Sequence, residues 1–293
     1  MKICFLIVAA LVSSSAVAEP AKPASAIHPA ILADPPADKQ HPARLEAIHI
    51  PTGGVKINGV AYVASGAGPH PTAIIFHGWP GNEKNVDLAQ SVRRAGWNAI
   101  TLYYRGAWGS PGNFRFAQNI EDATAALAFA RDPANAARLA IDPKKIVLIG
   151  HSMGAWVANM AGAKDGATAG VVMISGGNMG VVGKLPRDQL LQIAADSSES
   201  LAGTSPEMQA DELSANSAAF DWVKNSAALQ DTPVLALTSD DGLAGMTDAL
   251  VSAMRKQGGT KVTAVHVATD HSWSDKRLRL QSEIINWLDG LPK

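Results

Sequence analysis

The chain has 293 residues, 47% apolar and 17% charged, with a formal net charge of −1. Apolar content in this range excludes a disordered or fibrous chain, and the length fits one or two domains. A charge so near zero, with no long run of Lys and Arg, excludes nucleic acid as a main partner, because phosphate binding needs a concentrated basic face.

Residues 1–18 read as a secretory signal peptide. Met1 and Lys2 precede an uncharged apolar stretch from Ile3 to Val12, three serines follow, and Ala16-Val17-Ala18 has the small-x-small pattern of a cleavage site. That stretch is too short to span a bilayer core of roughly 30 Å, and no later segment reaches the roughly 18 apolar residues a membrane helix needs. A periplasmic or secreted protein is expected, with no stable membrane insertion. The single cysteine, Cys4, lies inside the leader, so the exported chain is expected to carry no disulfide. Residues 19–44 read as a Pro/Ala-rich linker without regular helix or sheet, because proline lacks an N–H and biases its predecessor to extended geometry. His28 and His41 fall here and are expected to be solvated.

The body, residues 45–293, alternates strands and helices. Residues 45–50 and 55–63 flank Thr52-Gly53-Gly54 as a hairpin. Strands are predicted at 72–76, 99–104, 145–149, 170–175, 233–238 and 261–267. Helices are predicted at 83–94, 117–131, 152–163, 245–256 and 274–288. Several strands are continuously apolar, as suits central strands covered on both faces. Such alternation predicts an α/β fold with a mostly parallel sheet and helices on both sides. Residues 176–232 interrupt the pattern. Parts of them look helical, at 187–195 and 207–220, and an insertion above the strand ends is expected to act as a cap over a site.

Gly150-His151-Ser152-Met153-Gly154 fits G-x-S-x-G, with an apolar strand before it and a helical pattern after it. The sharp turn exposes the serine hydroxyl at a helix N-terminus, and glycines two residues either side avoid collision. A serine hydroxyl needs a base. His271, in the loop between the last strand and the last helix, is the best placed histidine. His28, His41 and His70 sit beside prolines, and His49 and His266 lie inside strands. His151 is expected to point away from its neighbour and to serve at most as a pocket residue. The base needs an orienting carboxylate, and Asp241 is favoured over Asp240 in the turn after strand 233–238. Asp270 is a weaker candidate. The order Ser152, Asp241, His271 is nucleophile, acid, base. His77-Gly78-Trp79-Pro80-Gly81 can aim a backbone N–H across the site, so the oxyanion donors are expected to be the N–H groups of Trp79 and Met153. No C-x-x-C, H-E-x-x-H or phosphate-cradling glycine loop occurs, and no cofactor or metal is expected.

HGWPG at 77–81, YRGAWGSPG at 104–112, GHSMG at 150–154, SDDG at 239–242 and DHSW at 270–273 together resemble the α/β-hydrolase superfamily over roughly residues 45–290. The YRG, SDDG and DHSW segments most resemble serine hydrolases related to the catalytic domain of prolyl oligopeptidases. The resemblance implies an α/β-hydrolase fold with a helical cap insertion, a triad of Ser152, Asp241 and His271, and acyl transfer to water through an acyl-enzyme. It also suggests that Arg105 to Gly112 line the pocket. Those peptidases often carry a large extra domain, for which these residues leave no room, so a carboxylesterase acting on small-molecule esters is the expected function. A peptidase or amidase with the same triad, an acyl transfer to another acceptor, and a non-catalytic binding module on the same fold are the alternatives.

Overall fold

The computed structural model describes residues 26–291. The leader read over residues 1–18, with Cys4, and the first part of the linker lie outside them. The described part of the linker is not wholly irregular. Pro29–Leu32 forms one turn of helix, α1, with Pro29 at its first position, where a missing N–H costs nothing. His28 is not a free linker residue either. Its Nδ1 accepts the Ala30 N–H, and its Nε2 meets Asp289 at 3.1 Å.

Among the described residues, eight strands make one sheet. They are β1 (Arg44–Thr52), β2 (Val55–Val63), β3 (His70–Phe76), β4 (Asn98–Leu102), β5 (Ile141–His151), β6 (Gly170–Ile174), β7 (Val234–Thr238) and β8 (Val262–His266). Their spatial order is β1-β2-β4-β3-β5-β6-β7-β8, antiparallel through β2/β4 and parallel from β4 to β8. The helices are α2 (Val86–Arg94), α3 (Phe116–Arg131), α4 (Pro133–Leu139), α5 (Met153–Asp165), α6 (Met179–Val182), α7 (Arg187–Asp196), α8 (Pro206–Asn216), α9 (Ala244–Lys256) and α10 (Arg277–Asp289).

The period of two along a strand sorts β5 between two cores. Ile146 and Leu148 face a cluster that includes Ala126, Leu127, Trp156 and Val157 of α3 and α5. Val147 and Ile149 face the other, with Leu88 and Val92 of α2 and Leu280 and Ile284 of α10. With both faces covered, polar alternation vanishes and the strand reads as continuous apolar sequence.

Differences from the expected elements have local causes. Helix α2 begins at Val86 rather than 83, because Asn85 sits at φ 55° and its N–H is taken by the Glu83 carboxylate. Strand β4 stops at Leu102: Tyr103 N–H still meets the Asn58 carbonyl, but the reciprocal bond is lost because Asn58 N–H donates to Ser110 Oγ, whose hydroxyl donates to the Tyr103 carbonyl. Helix α4 was not expected, although Asp132-Pro133 is a readable start: the Asp132 carboxylate accepts the N–H groups of Ala134 and Asn135. Residues 176–232 hold α6, α7, α8 and a 3-10 turn at Trp222–Asn225, all between β6 and β7. Trp156 Nε1 of α5 donates to the Phe220 carbonyl, which pins this insertion to the central helix.

Candidate active site

The carboxyl ends of β5, β6, β7 and β8 lie side by side, and the candidate residues sit at these ends. Ser152 stands between β5 and α5 at φ 59°, ψ −124°. A non-glycine residue held in such a region costs on the order of 1–3 kcal/mol and needs its surroundings to fix it. Three backbone hydrogen bonds do so. Ser152 N–H donates to the Ile174 carbonyl at 2.9 Å, and its own carbonyl accepts from Ala155 N–H at 3.0 Å and Gly177 N–H at 3.2 Å. The glycines of the motif are needed for space. A Cβ on Gly150 would stand 1.9 Å from the Gly154 carbonyl oxygen, and one on Gly154 would stand 2.2 Å from that of Phe76.

Asp241 and His271 meet. His271 Nδ1 and Asp241 Oδ2 are 2.7 Å apart, and the carboxylate is 3% exposed. An ionised carboxylate only accepts, so Nδ1 carries the proton and Nε2 is the basic nitrogen. Asp241 Oδ1 accepts the Leu243 N–H at 2.9 Å. Burial raises the proton affinity of Asp241, but hydrogen bonds from His271, Leu243 and Ser239, with the charge of the imidazole, outweigh it and hold the carboxyl below its usual range. Asp240 turns the other way. Its exposed carboxylate meets His266 Nε2 at 3.0 Å.

His151 has a larger part than the sequence suggested. It is buried, its Nε2–H donates to the His271 carbonyl at 2.8 Å, and the two rings lie 4.7 Å apart. Burial, then the charge of His271, depresses its pKa to about 3, so it is a neutral brace for the loop that carries His271. The strand period held the signal: His151 follows Val147 and Ile149 on the face packed by α10.

The loop after β3 touches the serine. A Cβ on Gly78 would come 2.9 Å from Ser152 Cβ and 3.3 Å from its Oγ. Trp79 follows it. The Trp79 indole donates to Gln209 Oε1 of α8 at 2.8 Å and stands edge-on to Phe116 at 5.0 Å. Met153 opens α5 and is fully buried. His77 is also buried, with Nδ1 2.8 Å from the Gly78 carbonyl and its pKa lowered to about 4 by burial.

The resemblance suggests that the segment Arg105 to Gly112 lines the pocket. Its arginine is committed elsewhere: Arg105 Nε donates to the fully buried Asp122 at 2.7 Å, and Nη2 reaches the Gln118 carbonyl and Glu121. Trp108 Nε1 donates to the Pro80 carbonyl at 2.7 Å, and Lys84 Nζ lies 3.7 Å above the Trp108 ring. The segment thereby braces the loop that carries Trp79.

A sheet in this order, with helices on both faces, has many solved counterparts. The fold is that of the α/β-hydrolases. Similar structures include the carboxylesterase EstE1 from a metagenomic library, at TM-score 0.62 and 21% identity over 87% of this chain and 92% of that one. Another is Est1E from Butyrivibrio proteoclasticus with ferulic acid bound, at TM-score 0.60 and 16% identity over 83% and 98%. A third is the acylaminoacyl peptidase of Pyrococcus horikoshii, at 0.60 and 12% over 84% of this chain but only 41% of that one. The family model described as BD-FAE matches residues 60–184, which hold both the HGWPG loop and the serine motif. No curated protein matches the chain.

The two neighbouring carboxylates separate experimentally. Asp241→Asn should slow labelling of Ser152 by a fluorophosphonate by about 10²–10⁴-fold, as loss of an orienting carboxylate does, while Asp240→Asn should leave it within about threefold. The opposite ranking moves the acid to Asp240.

Proposed function

We propose that this protein is a serine hydrolase that cleaves carboxylic esters through Ser152, His271 and Asp241. The observation that carries the reading is the 2.7 Å Asp241–His271 bond, formed beside a serine whose backbone is held at φ 59°. His271 Nε2 takes the Ser152 proton as the oxygen attacks the ester carbonyl, and Asp241 keeps the imidazole in the tautomer that permits this. The N–H groups of Trp79 and Met153 hold the oxyanion, aided by the N-terminus of α5. The alkoxide leaves with the proton from His271. Water then attacks the acyl-enzyme with His271 as base and releases the acid and free Ser152. The esterase neighbours, one of them holding a ferulic acid, support an ester as substrate. The finer resemblance to prolyl oligopeptidase-type hydrolases has the Pyrococcus peptidase beside it, so peptide anilides belong in the same assay as aryl esters.

Ser152→Ala should lower kcat on p-nitrophenyl esters by about 10⁴-fold or more. Comparable hydrolysis by the variant overturns the assignment, and faster turnover of anilides than of esters makes the protein an amidase. The pH profile gives an independent check. His151 and His77 are held neutral, at about 3 and about 4, so between pH 5 and 8 they do not titrate and Asp241 stays ionised. Neither buried imidazole should therefore contribute a limb to the pH–rate profile between pH 5 and 8, and a limb in that range that disappears on His77→Gln or His151→Gln overturns their neutral assignment.

Export through residues 1–18 belongs to the same reading and places the enzyme in the periplasm or outside the cell. Mass spectrometry of the exported protein should find a chain that begins at Glu19, and a retained leader overturns this.

A further inference from the structure

The insertion between β6 and β7 grips the loop after β3 at two points, and the proposed reaction uses neither grip. The Trp79 indole donates to Gln209 Oε1 of α8 at 2.8 Å. On the next residue, the Pro80 carbonyl accepts from Trp108 Nε1 at 2.7 Å, and the Trp108 backbone N–H donates to the Ser200 carbonyl of the insertion at 3.0 Å. Gln209 is 1% exposed, so water does not compete for its bonds. Its amide has a second partner. Nε2 donates to Ser198 Oγ at 2.9 Å, and that hydroxyl donates to the Ala194 carbonyl of α7 at 2.6 Å. An indole N–H only donates, so it must face the amide oxygen, and the amide nitrogen is left for Ser198. Each bond in this chain therefore has one direction, and a flipped amide would set donor against donor.

Helix α8 is itself fixed to the body. Glu212 lies one turn beyond Gln209 on the same side of α8, and its carboxylate accepts the N–H groups of Phe116 and Ala117 at 3.1 and 2.8 Å. These N–H groups open α3 and have no partner within that helix. Phe116 is also the ring against which Trp79 stands edge-on at 5.0 Å. Helix α8 thus holds Trp79 directly through Gln209 and indirectly through Phe116.

The residue so held carries the N–H assigned above to the oxyanion. His77 Nδ1 lies 2.8 Å from the Gly78 carbonyl, which only accepts, so the ring donates there. The Gly78 carbonyl and the Trp79 N–H belong to one planar trans peptide and point in opposite directions. That N–H is therefore turned away from the buried imidazole. The same peptide begins at the glycine whose Cβ would come 3.3 Å from Ser152 Oγ. His77 fixes the near end of this peptide, and Gln209 fixes the residue at its far end.

We propose that Gln209 is a positioning residue for the oxyanion-binding N–H of Trp79, and that α8 acts on the reaction by holding the Trp79 indole. The proposal rests on the serine hydrolase reading above. Outright removal of an oxyanion donor costs on the order of 10²–10³ in rate, and a displaced donor loses part of that. Such stabilisation is realised in the transition state rather than in substrate binding, so kcat falls while KM holds. Loss of packing alone would lower the thermal midpoint and leave both constants as they were.

The test compares Gln209→Met, Trp79→Phe, the double variant Trp79→Phe/Gln209→Met and Ser198→Ala in the full chain, with Ser152→Ala and Met208→Ala alongside. The readouts are kcat and KM on a p-nitrophenyl ester, inhibition by an aryl trifluoromethyl ketone, and thermal midpoint. Gln209→Met keeps the length of the side chain but removes the acceptor, and should lower kcat about tenfold with KM within about twofold. The ketone takes up the serine oxygen and places a negative oxygen among the oxyanion donors, so its affinity should fall by about the same factor. Trp79→Phe removes the indole donor and should act likewise, and the double variant should cost no more than the larger single change. Ser198→Ala frees the far side of the amide and should move kcat and inhibition the same way by less. Met208, exposed on α8, marks the baseline, and Met208→Ala should match the wild type. A raised KM with kcat kept makes Gln209 a substrate contact, and additive losses or a lowered midpoint alone make it a packing residue; each overturns the proposal. If Gln209→Met does not fold, Trp79→Phe and Ser198→Ala decide: lowered kcat and weakened inhibition support the proposal, and wild-type values overturn it. Residual turnover by Ser152→Ala would instead overturn the serine assignment, so the two failures are distinguishable.

Discussion

The site depends on one steric constraint, the close passage of three backbones at the serine turn. Gly150 abuts the first turn of α5, Gly154 abuts the carbonyl of Phe76, and Gly78 abuts the serine side chain. No residue with a Cβ fits at the first two positions without moving main chain. With glycine there, β3, β5 and α5 come together closely enough for the loop after β3 to lie against the hydroxyl. The strained serine conformation is then fixed by hydrogen bonds to β6 and to the segment after it.

Sheet order does the rest. In a parallel sheet, side chains at the ends of adjacent strands are neighbours in space however far apart they are in sequence. Here β5, β6, β7 and β8 are consecutive, so residues 152, 175, 241 and 271 fall along one edge. Left-handed backbone recurs at that edge in Ser152, Ser175 and Trp273. The strain is local, while the burial that offsets it is distributed over two cores on opposite faces of the sheet. Concentrating irregular geometry where a reactive group must be displayed is what a rigid scaffold allows.

Much of this is legible in the sequence. The strands of the parallel half announced themselves as short apolar runs, because burial on both faces removes alternation. The serine motif carried its own context of strand and helix. Pattern favours Asp241 over Asp240 but shows the direction of neither side chain, since adjacent residues in a turn can face either way. In the structure His266 engages Asp240 and His271 engages Asp241. His151 is adjacent to the serine in sequence, and it is the strand period, through Val147 and Ile149, that carries it toward α10. Arg105 was placed in the pocket by resemblance, whereas the buried carboxylate of Asp122, seventeen residues away, takes its guanidinium. That pairing is a tertiary event with no local sequence mark. The single turn at Pro29–Leu32 was hidden by proline content, although proline at the first position of a helix is permissive.

The two histidines buried next to the serine turn have a thermodynamic side. Each is held below the ordinary imidazole value of 6.5, His77 at about 4 and His151 at about 3, chiefly by burial. The unfolded chain therefore binds protons that the native chain refuses, and native stability erodes as pH falls below about 6.5. For His77 alone the difference amounts to something on the order of 3 kcal/mol by the time its native value is passed. Acidification thus weakens the fold at the two buried histidines that flank the serine turn.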